Sequence, residues 1–234
     1  MNPTEEILYP IRINKYMALL NLCTRRKADL FIEAGLVKVN GVVATLGQKI
    51  QAGDVVVLDR KTRVRNEKDR VYVLYHKPIE VVTEDIRLPI PATPQLFSVG
   101  RLDKDSEGLI LFTNDGRVTD RLLHPDYDHE KEYLVTVDKR LAPSAVRFLG
   151  KGVLIEGYMT RPAEVAQKDE KSFSIILTEG KKHQIRRMCA ALGYQVQSLK
   201  RTRIMNLELG DLLPGSYQKL EGEDLNIFLK SLGL

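Results

Sequence analysis

Cysteine is scarce in this chain. Its 234 residues hold two, Cys23 and Cys189, far apart and outside any C-x-x-C or metal-ligand spacing. A disulfide framework is therefore not expected, and a reduced, cytoplasmic setting is. Long apolar runs are missing as well: no stretch approaches the roughly 20 residues that cross a bilayer. The opening residues, Met-Asn-Pro-Thr-Glu-Glu, are acidic and lack the basic-then-apolar order of a secretory leader. No membrane partner is expected. There is also no glycine-rich phosphate loop between a strand and a helix, which argues against a nucleotide-cofactor fold. Internal repeats and low-complexity tracts are likewise missing.

What the chain does have is unevenly placed charge. Residues 1–70 carry 13 Lys and Arg against 8 Asp and Glu, and the remaining 164 residues carry 23 of each. The whole net charge of +5 thus sits in the first third. A polyanion-binding appendage on a neutral body accounts for this asymmetry. A small basic domain that is merely soluble is the plainer alternative.

That first third has the grammar of a compact module. Ile13, Tyr16, Met17 and Leu20 recur with the i, i+3, i+4, i+7 spacing of one helix face. Thr24 can cap a second helix from Arg25 to Ala34, with Gly35 as its stop. A strand at 36–39 meets Asn40-Gly41, a strong hairpin signal, and Val42-Val43 returns; a last strand follows at 55–58. Arg12, Lys15, Arg25, Arg26, Lys27 and Lys38 crowd these elements. Three bases at a helix N-terminus oppose the helix dipole, which favours an external anion as their partner. The run R-I-N-K-Y, then C-T-R-R-K-A-D, then G-L-V-K-V-N-G resembles the small alpha-L RNA-binding domain first described in a small-subunit ribosomal protein. The resemblance covers residues 11–58 and implies binding of structured RNA through shape and phosphates.

Residues 59–70 contain one apolar side chain, Val64, and read as a basic linker. From 71 to 234 strands and helices alternate without a strict βαβ rhythm. Strands are expected at 71–75, 109–113, 131–137, 173–178 and from 196 onward. Helices are expected around Val118–Leu123, over 181–192 and around Leu225–Leu232. At 131–137, Tyr133, Val135 and Val137 should share one face, with Leu134 and Thr136 on the other. The pattern is that of a mixed α+β fold.

Three groups in this second part could carry chemistry. Asp103 sits on a Gly-bounded turn in Gly100-Arg101-Leu102-Asp103-Lys104-Asp105-Ser106-Glu107-Gly108, just before the apolar run Leu109–Phe112. Tyr133 follows Glu130-Lys131-Glu132. Between Gly180 and Asn206 stand seven Lys and Arg and no carboxylate. Singly, each has an ordinary reading: a solvated turn aspartate, a packed strand tyrosine, the wet face of an amphipathic helix. Asp103, Asp105 and Glu107 mimic the start of a calcium loop, but its twelfth position is Asn114 and a strand follows, so calcium is rejected. His129 and His183 have no second ligand at i+4, and no metal site is expected.

In order, the three motifs are similar to those of RNA pseudouridine synthases of the RsuA branch. Gly100–Leu109 matches the aspartate motif, Glu130–Tyr133 the tyrosine motif and Gln184-Ile185-Arg186-Arg187-Met188 the arginine motif. The phrases at 131–139 and 201–206 are nearest the RluF type, which modifies large-subunit ribosomal RNA. The resemblance implies a largely antiparallel sheet domain over 71–234, needing no cofactor or metal. It also implies Asp103 as the reacting carboxylate, paired with Arg186; Tyr133 stacked on the uracil; and Ile185 and Leu199 as an apolar floor. Arg101, Arg187, Lys200 and Arg201 would hold phosphates. The implied partner is RNA, ribosomal first and transfer RNA second, with the chain a monomer and no obligate protein partner. One departure stands out: Lys77-Pro78-Ile79-Glu80 has glutamate where the family commonly has glycine, which puts a positive-φ turn there in doubt. A non-catalytic RNA-binding assembly factor would use the same basic features, but would gain nothing from a carboxylate among phosphates. A glycosidase acting on free nucleosides would need a second acid and no basic module.

Overall fold

A computed structural model describes residues 8–20, 22–58, 70–90, 96–124 and 127–234. Residues 59–69 of the expected linker, Pro91, Pro94 and the acidic first residues lie outside them. The chain divides into two compact units, one of Met1–Arg70 with Asp115–Arg117, the other of Val71–Asn114 with Val118–Leu234.

The first unit contains β1 (Ile11–Arg12), α1 (Ile13–Leu19), α2 (Arg25–Glu33), β2 (Val37–Val39), β3 (Val42–Val43), β4 (Lys49–Ile50) and β5 (Val56–Leu58). Helix α1 turns Ile13 and Met17 inward but ends at Leu19, so Leu20, expected on the same face, is exposed. Thr24 caps α2 by accepting a 3.3 Å hydrogen bond from the Lys27 amide. Asn40 and Gly41 both take positive φ, the twist a two-residue hairpin requires, and join β2 to β3. Strand β5 pairs with the other edge of β2. Ile13, Met17, Ala28, Ile32, Val37 and Ile50 form the centre of the core. Arg12, Lys15, Arg25, Arg26 and Lys38 remain exposed, while Lys27 lies over the Phe31 ring at 5.4 Å.

The second unit contains β6 (Tyr72–Lys77), β7 (Phe97–Val99), β8 (Glu107–Thr113), all but the first two residues of α3 (Gly116–Leu123), β9 (Lys131–Val137), α4 (Pro143–Lys151), β10 (Leu154–Ile155), β11 (Tyr158–Met159), β12 (Glu164–Gln167), β13 (Ser172–Leu177), α5 (Gln184–Ala191), β14 (Val196–Ile204), β15 (Leu207–Glu208), β16 (Tyr217–Lys219) and α6 (Gly222–Ser231). Its sheet has the order β12-β13-β9-β14-β8-β6-β16, with β7 on β8 and β15 on β14. Among the described residues every pairing in it is antiparallel except β14 with β8. The mixed α+β expectation therefore holds, and the period-two alternation of β9 holds with it. Val135 and Val137 are buried and Tyr133 packs beside them, whereas Leu134 faces out.

Two expected boundaries move. Strand β6 does not stop at Tyr75 but continues through His76 and Lys77, because both polar side chains find buried carbonyls. The helix expected over 181–192 begins only at Gln184, because His183 takes left-handed dihedrals (φ 51, ψ 32) and Lys182 and His183 form a turn closed by the Gln184 amide on the Lys181 carbonyl at 3.1 Å.

The parallel contact of β14 and β8 fixes the centre of the sheet. It lasts for two residue pairs, Lys200 with Glu107 and Arg201 with Gly108. A Cβ on Gly108 would lie 2.3 Å from the Arg201 carbonyl oxygen, and Gly108 has φ +119. Only glycine lets the strands meet there. Gly108→Ala is expected to lose about 2–4 kcal/mol through steric overlap and backbone strain. Scanning calorimetry should show a transition lowered by roughly 5–10 °C, and an unshifted transition would mean the strands separate without cost.

Candidate active site

The turn carrying Asp103 is held from below by buried groups. Leu102 anchors it in the core. The buried Thr83 hydroxyl donates to the Leu102 carbonyl at 2.8 Å and accepts from the Leu102 amide at 3.2 Å. Within the turn, the Ser106 amide donates to the Asp103 carbonyl at 3.1 Å. Lys77 is fully buried, and its ammonium donates to the carbonyls of Pro78 (2.9 Å), Val81 (2.7 Å) and Lys104 (3.2 Å). Burial pushes its pKa down, and the carboxylates of Asp105, Asp103, Glu80 and Glu107 oppose that shift. One cation thus ties the 78–81 loop to the Asp103 turn. The positive φ placed in doubt at position 80 is present, carried by glutamate: Glu80 has φ 65. Its amide donates to the Lys104 carbonyl at 2.8 Å, and its carboxylate lies 3.4 Å from the Lys104 ammonium. Those bonds offset the left-handed conformation of a non-glycine residue.

The opposite wall is the start of α5. The Gln184 side chain accepts from the Lys181 amide at 2.9 Å and donates to Glu179 at 2.7 Å, bracing the basic turn. Arg186 reaches across to the Asp103 turn, but not to Asp103. Its Nη2 lies 3.0 Å from the Asp105 carboxylate and donates to the Asp105 carbonyl at 2.9 Å and the Ser106 hydroxyl at 3.4 Å. Its Nη1 donates to the Val196 carbonyl at 3.2 Å, and its Nε is buried without a hydrogen-bond partner. Asp103 instead faces His183, whose Nε2 lies 3.3 Å from Oδ1. The expected Asp103–Arg186 pair is therefore replaced by two pairs in register. Residues 183 and 186 stand one helical turn apart, and 103 and 105 stand two apart in the turn, so each carboxylate meets its own basic side chain.

The remaining predicted residues divide. Tyr133 is partly buried between two apolar clusters, one holding Leu102 and the other holding Ile185 and Leu199. It thus links the Asp103 turn to α5. Ile185 and Leu199 are themselves core residues, 4% and 7% exposed. Arg201, expected on phosphates, is 3% exposed. Its Nε donates to the Leu109 carbonyl at 2.7 Å, in the wedge where β8 and β14 separate, so it is a structural cation rather than a surface one. Lys200 pairs in register with Leu134, which points away from the face of Tyr133. It lines a cleft of about 630 Å³ with Leu134, Lys168 and Arg203 on the other side of the sheet. Arg187 is engaged by Glu156 and the Lys182 carbonyl. Arg101 is exposed and pairs with Glu84 at 2.8 Å. Among the described residues no cluster of three His, Cys, Asp or Glu side chains could hold a metal, and no helix is long and apolar enough to cross a membrane.

The profile of one family, described as RNA pseudouridylate synthase, matches residues 71–191, and that of the S4 domain matches residues 11–56. The chain is 40% identical over 223 residues to the dual-specificity RNA pseudouridine synthase RluF of Escherichia coli K12, covering 92% of this chain and 77% of that one. The chain belongs to the RNA pseudouridine synthase family. It is an isomerase that converts uridine in RNA to pseudouridine. An RNA pseudouridine synthase of Aquifex aeolicus is 35% identical, with 96% of both chains covered. The ribosomal large subunit pseudouridine synthase B of Pseudomonas aeruginosa is 31% identical over 95% of this chain and 63% of its own. A crystal structure of a pseudouridylate synthase superposes with TM-score 0.67 at 29% identity, covering 94% of this chain and 99% of the other.

Within this synthase, sequence reasoning passed over Lys77, Thr83 and Asp105 as site-building residues. The Lys77-Pro78 dipeptide was a visible signal, since a lysine ending an otherwise apolar strand needs a buried acceptor set. Thr83 gave no signal, because its partner is a backbone 19 residues away. Lys77→Met would leave the Pro78 and Val81 carbonyls without this donor, while the Lys104 carbonyl would keep the Glu80 amide. We expect a loss of about 2–4 kcal/mol together with reduced turnover, measured by calorimetry and by single-turnover assay. A variant as stable and active as the original would detach Lys77 from the turn.

Proposed function

We propose that Asp103 is the carboxylate that acts on the target uridine, as nucleophile or as base. The observation that supports it most directly is its placement: 39% exposed, between Leu102, whose backbone Thr83 clasps, and Lys104, whose carbonyl the Lys77 ammonium holds. The reaction breaks the bond from ribose C1′ to N1, turns the base and joins C1′ to C5; the C5 proton leaves and N1 gains one. Atoms and electrons are conserved, so the chemistry itself calls for no cofactor or metal. An ionised carboxylate is the group it needs. Tyr133 stacks on the uracil and assists removal of the C5 proton, over the apolar floor of Ile185 and Leu199. Arg101 and Arg187 contact phosphates. The uridine must leave its stack to enter, which costs a few kcal/mol and favours loops and weak stems.

The organisation we propose is an RNA-gripping module over 11–58, a basic linker over 59–70 and a catalytic domain over 71–234. Arg12, Lys15, Arg25, Arg26, Lys27 and Lys38 supply the grip. Ribosomal RNA of the large subunit is the proposed substrate, in keeping with the RluF and large-subunit synthase relatives, with transfer RNA as the second. The protein works as a monomer in the cytoplasm.

Base-resolved pseudouridine mapping of ribosomal and transfer RNA tests this reading. The wild type should convert a defined uridine and Asp103→Asn should convert none while binding RNA equally well. Turnover by Asp103→Asn near the wild-type rate would remove Asp103 from the chemistry. Replacing Arg25, Arg26 and Lys27 together by alanine should lower the slope of log K against log salt by about 2, at roughly 0.7–0.9 for each phosphate no longer neutralised. An unchanged slope would move the RNA footprint elsewhere.

A further inference from the structure

A uridine that leaves its stack bares one face of each neighbouring base, and an aromatic side chain beside the site can cover that face. Two tyrosines with no part in the chemistry above stand in such places. Tyr158, in the short hairpin of β10 and β11, is 37% exposed. Its edge is pinned: the hydroxyl donates to Glu179 at 2.5 Å, and the same carboxylate accepts from the Arg161 amide at 3.0 Å and the Gln184 side chain at 2.7 Å. The Lys181 ammonium lies 4.5 Å from the ring centroid. Tyr127, ahead of β9, is 38% exposed. Arg121 donates to its hydroxyl at 2.8 Å, and the His129 ring stacks beside it at 5.6 Å. Neither tyrosine belongs to a hydrophobic cluster of the core.

One series of contacts joins the two rings. Arg161 donates to Asp128, next to Tyr127, at 2.6 Å, and its own amide is held by Glu179, which pins Tyr158. The series meets the site at both ends. Leu123, which closes α3, comes within 3.5 Å of where a Cβ on Gly100 would stand, and Gly100 opens the segment that carries Asp103. At the other end Glu179 braces Gln184, the first residue of α5. Asp128 and Glu179 are thus engaged within the series, whereas Lys181 and Lys182 are exposed. Pinned rings and outward ammonium groups match a single RNA strand, whose bases stack and whose phosphates are anionic.

We propose that Tyr127 and Tyr158 are stacking stations for unpaired bases beside the target uridine, with Lys181 and Lys182 meeting phosphates of the same strand. The inference deepens the reading of RNA as substrate and is independent of Asp103. It makes an unpaired neighbourhood, rather than a closed duplex, the context in which this enzyme takes a uridine.

Equilibrium binding by the full-length protein tests it, with an oligouridine strand of about 12 nucleotides and a blunt RNA duplex of the same length as probes. Tyr127→Leu and Tyr158→Leu should each weaken the single strand about ten-fold and leave the duplex within about two-fold. Tyr158→Phe keeps the ring without the Glu179 bond, and should bind both probes within about two-fold of wild type. Replacing Lys181 and Lys182 together by glutamine should lower the single-strand slope of log K against log salt by about 1.4, at roughly 0.7 for each phosphate. Single-strand affinity unchanged in both leucine variants, or no binding of the strand by the wild type, would overturn the proposal. So would equal losses for strand and duplex, or a loss in Tyr158→Phe as large as in Tyr158→Leu, since the tyrosine would then act only by bracing the hairpin. Asp103→Asn should bind the strand as the wild type does. Turnover by that variant would remove Asp103 from the chemistry and leave these binding outcomes standing.

Discussion

A fully buried ammonium shapes everything around Asp103. Lys77 has no carboxylate among its hydrogen-bond acceptors; it is solvated by three backbone carbonyls drawn from two loops. A cation in such a place is costly unless each acceptor is aimed at it. The loops therefore cannot relax independently. Glu80 tolerates its left-handed turn, Thr83 clasps both polar groups of Leu102, and the turn ends at a glycine that β14 can cross. Carboxylates above Lys77 and carbonyls around it make the site's floor positive and its rim negative.

The rim is then matched by α5. Two carboxylates from one turn meet two basic side chains from one helix start, and the pairing is sorted by spacing rather than by charge strength. The stronger cation goes to Asp105 and to the backbone, where it fixes shape.

How much of this was legible in the chain depended on range. Local signals read well: Thr24 as a cap, Asn40-Gly41 as a hairpin, the alternation along β9, the mixed α+β class. Those elements are decided by neighbours within a few residues. Arg201 escapes a sequence reading because its surface-like run, Lys200-Arg201-Thr202-Arg203, says nothing of the wedge between β8 and β14 that the Arg201 side chain fills. Lys200, one residue earlier, falls on the opposite sheet face for the same reason. The partner of Asp103 is equally hidden. It turns on whether the helix starts at 181 or 184, and a single histidine in the left-handed region decides this. Glu80 shows the converse: a residue expected to resist a turn adopts it once its amide and carboxylate both find Lys104.

The single parallel contact in the sheet has a consequence for how the enzyme comes into being. It joins residues more than ninety positions apart, as the Arg201 bond to Leu109 illustrates with a separation of 92. Closing so long a loop must wait for later contacts to compensate the lost chain entropy. On the ribosome, β8 and the Asp103 turn emerge well before α5 and β14 exist. A nascent chain therefore displays Asp103 before the wall that faces it, α5, has been made.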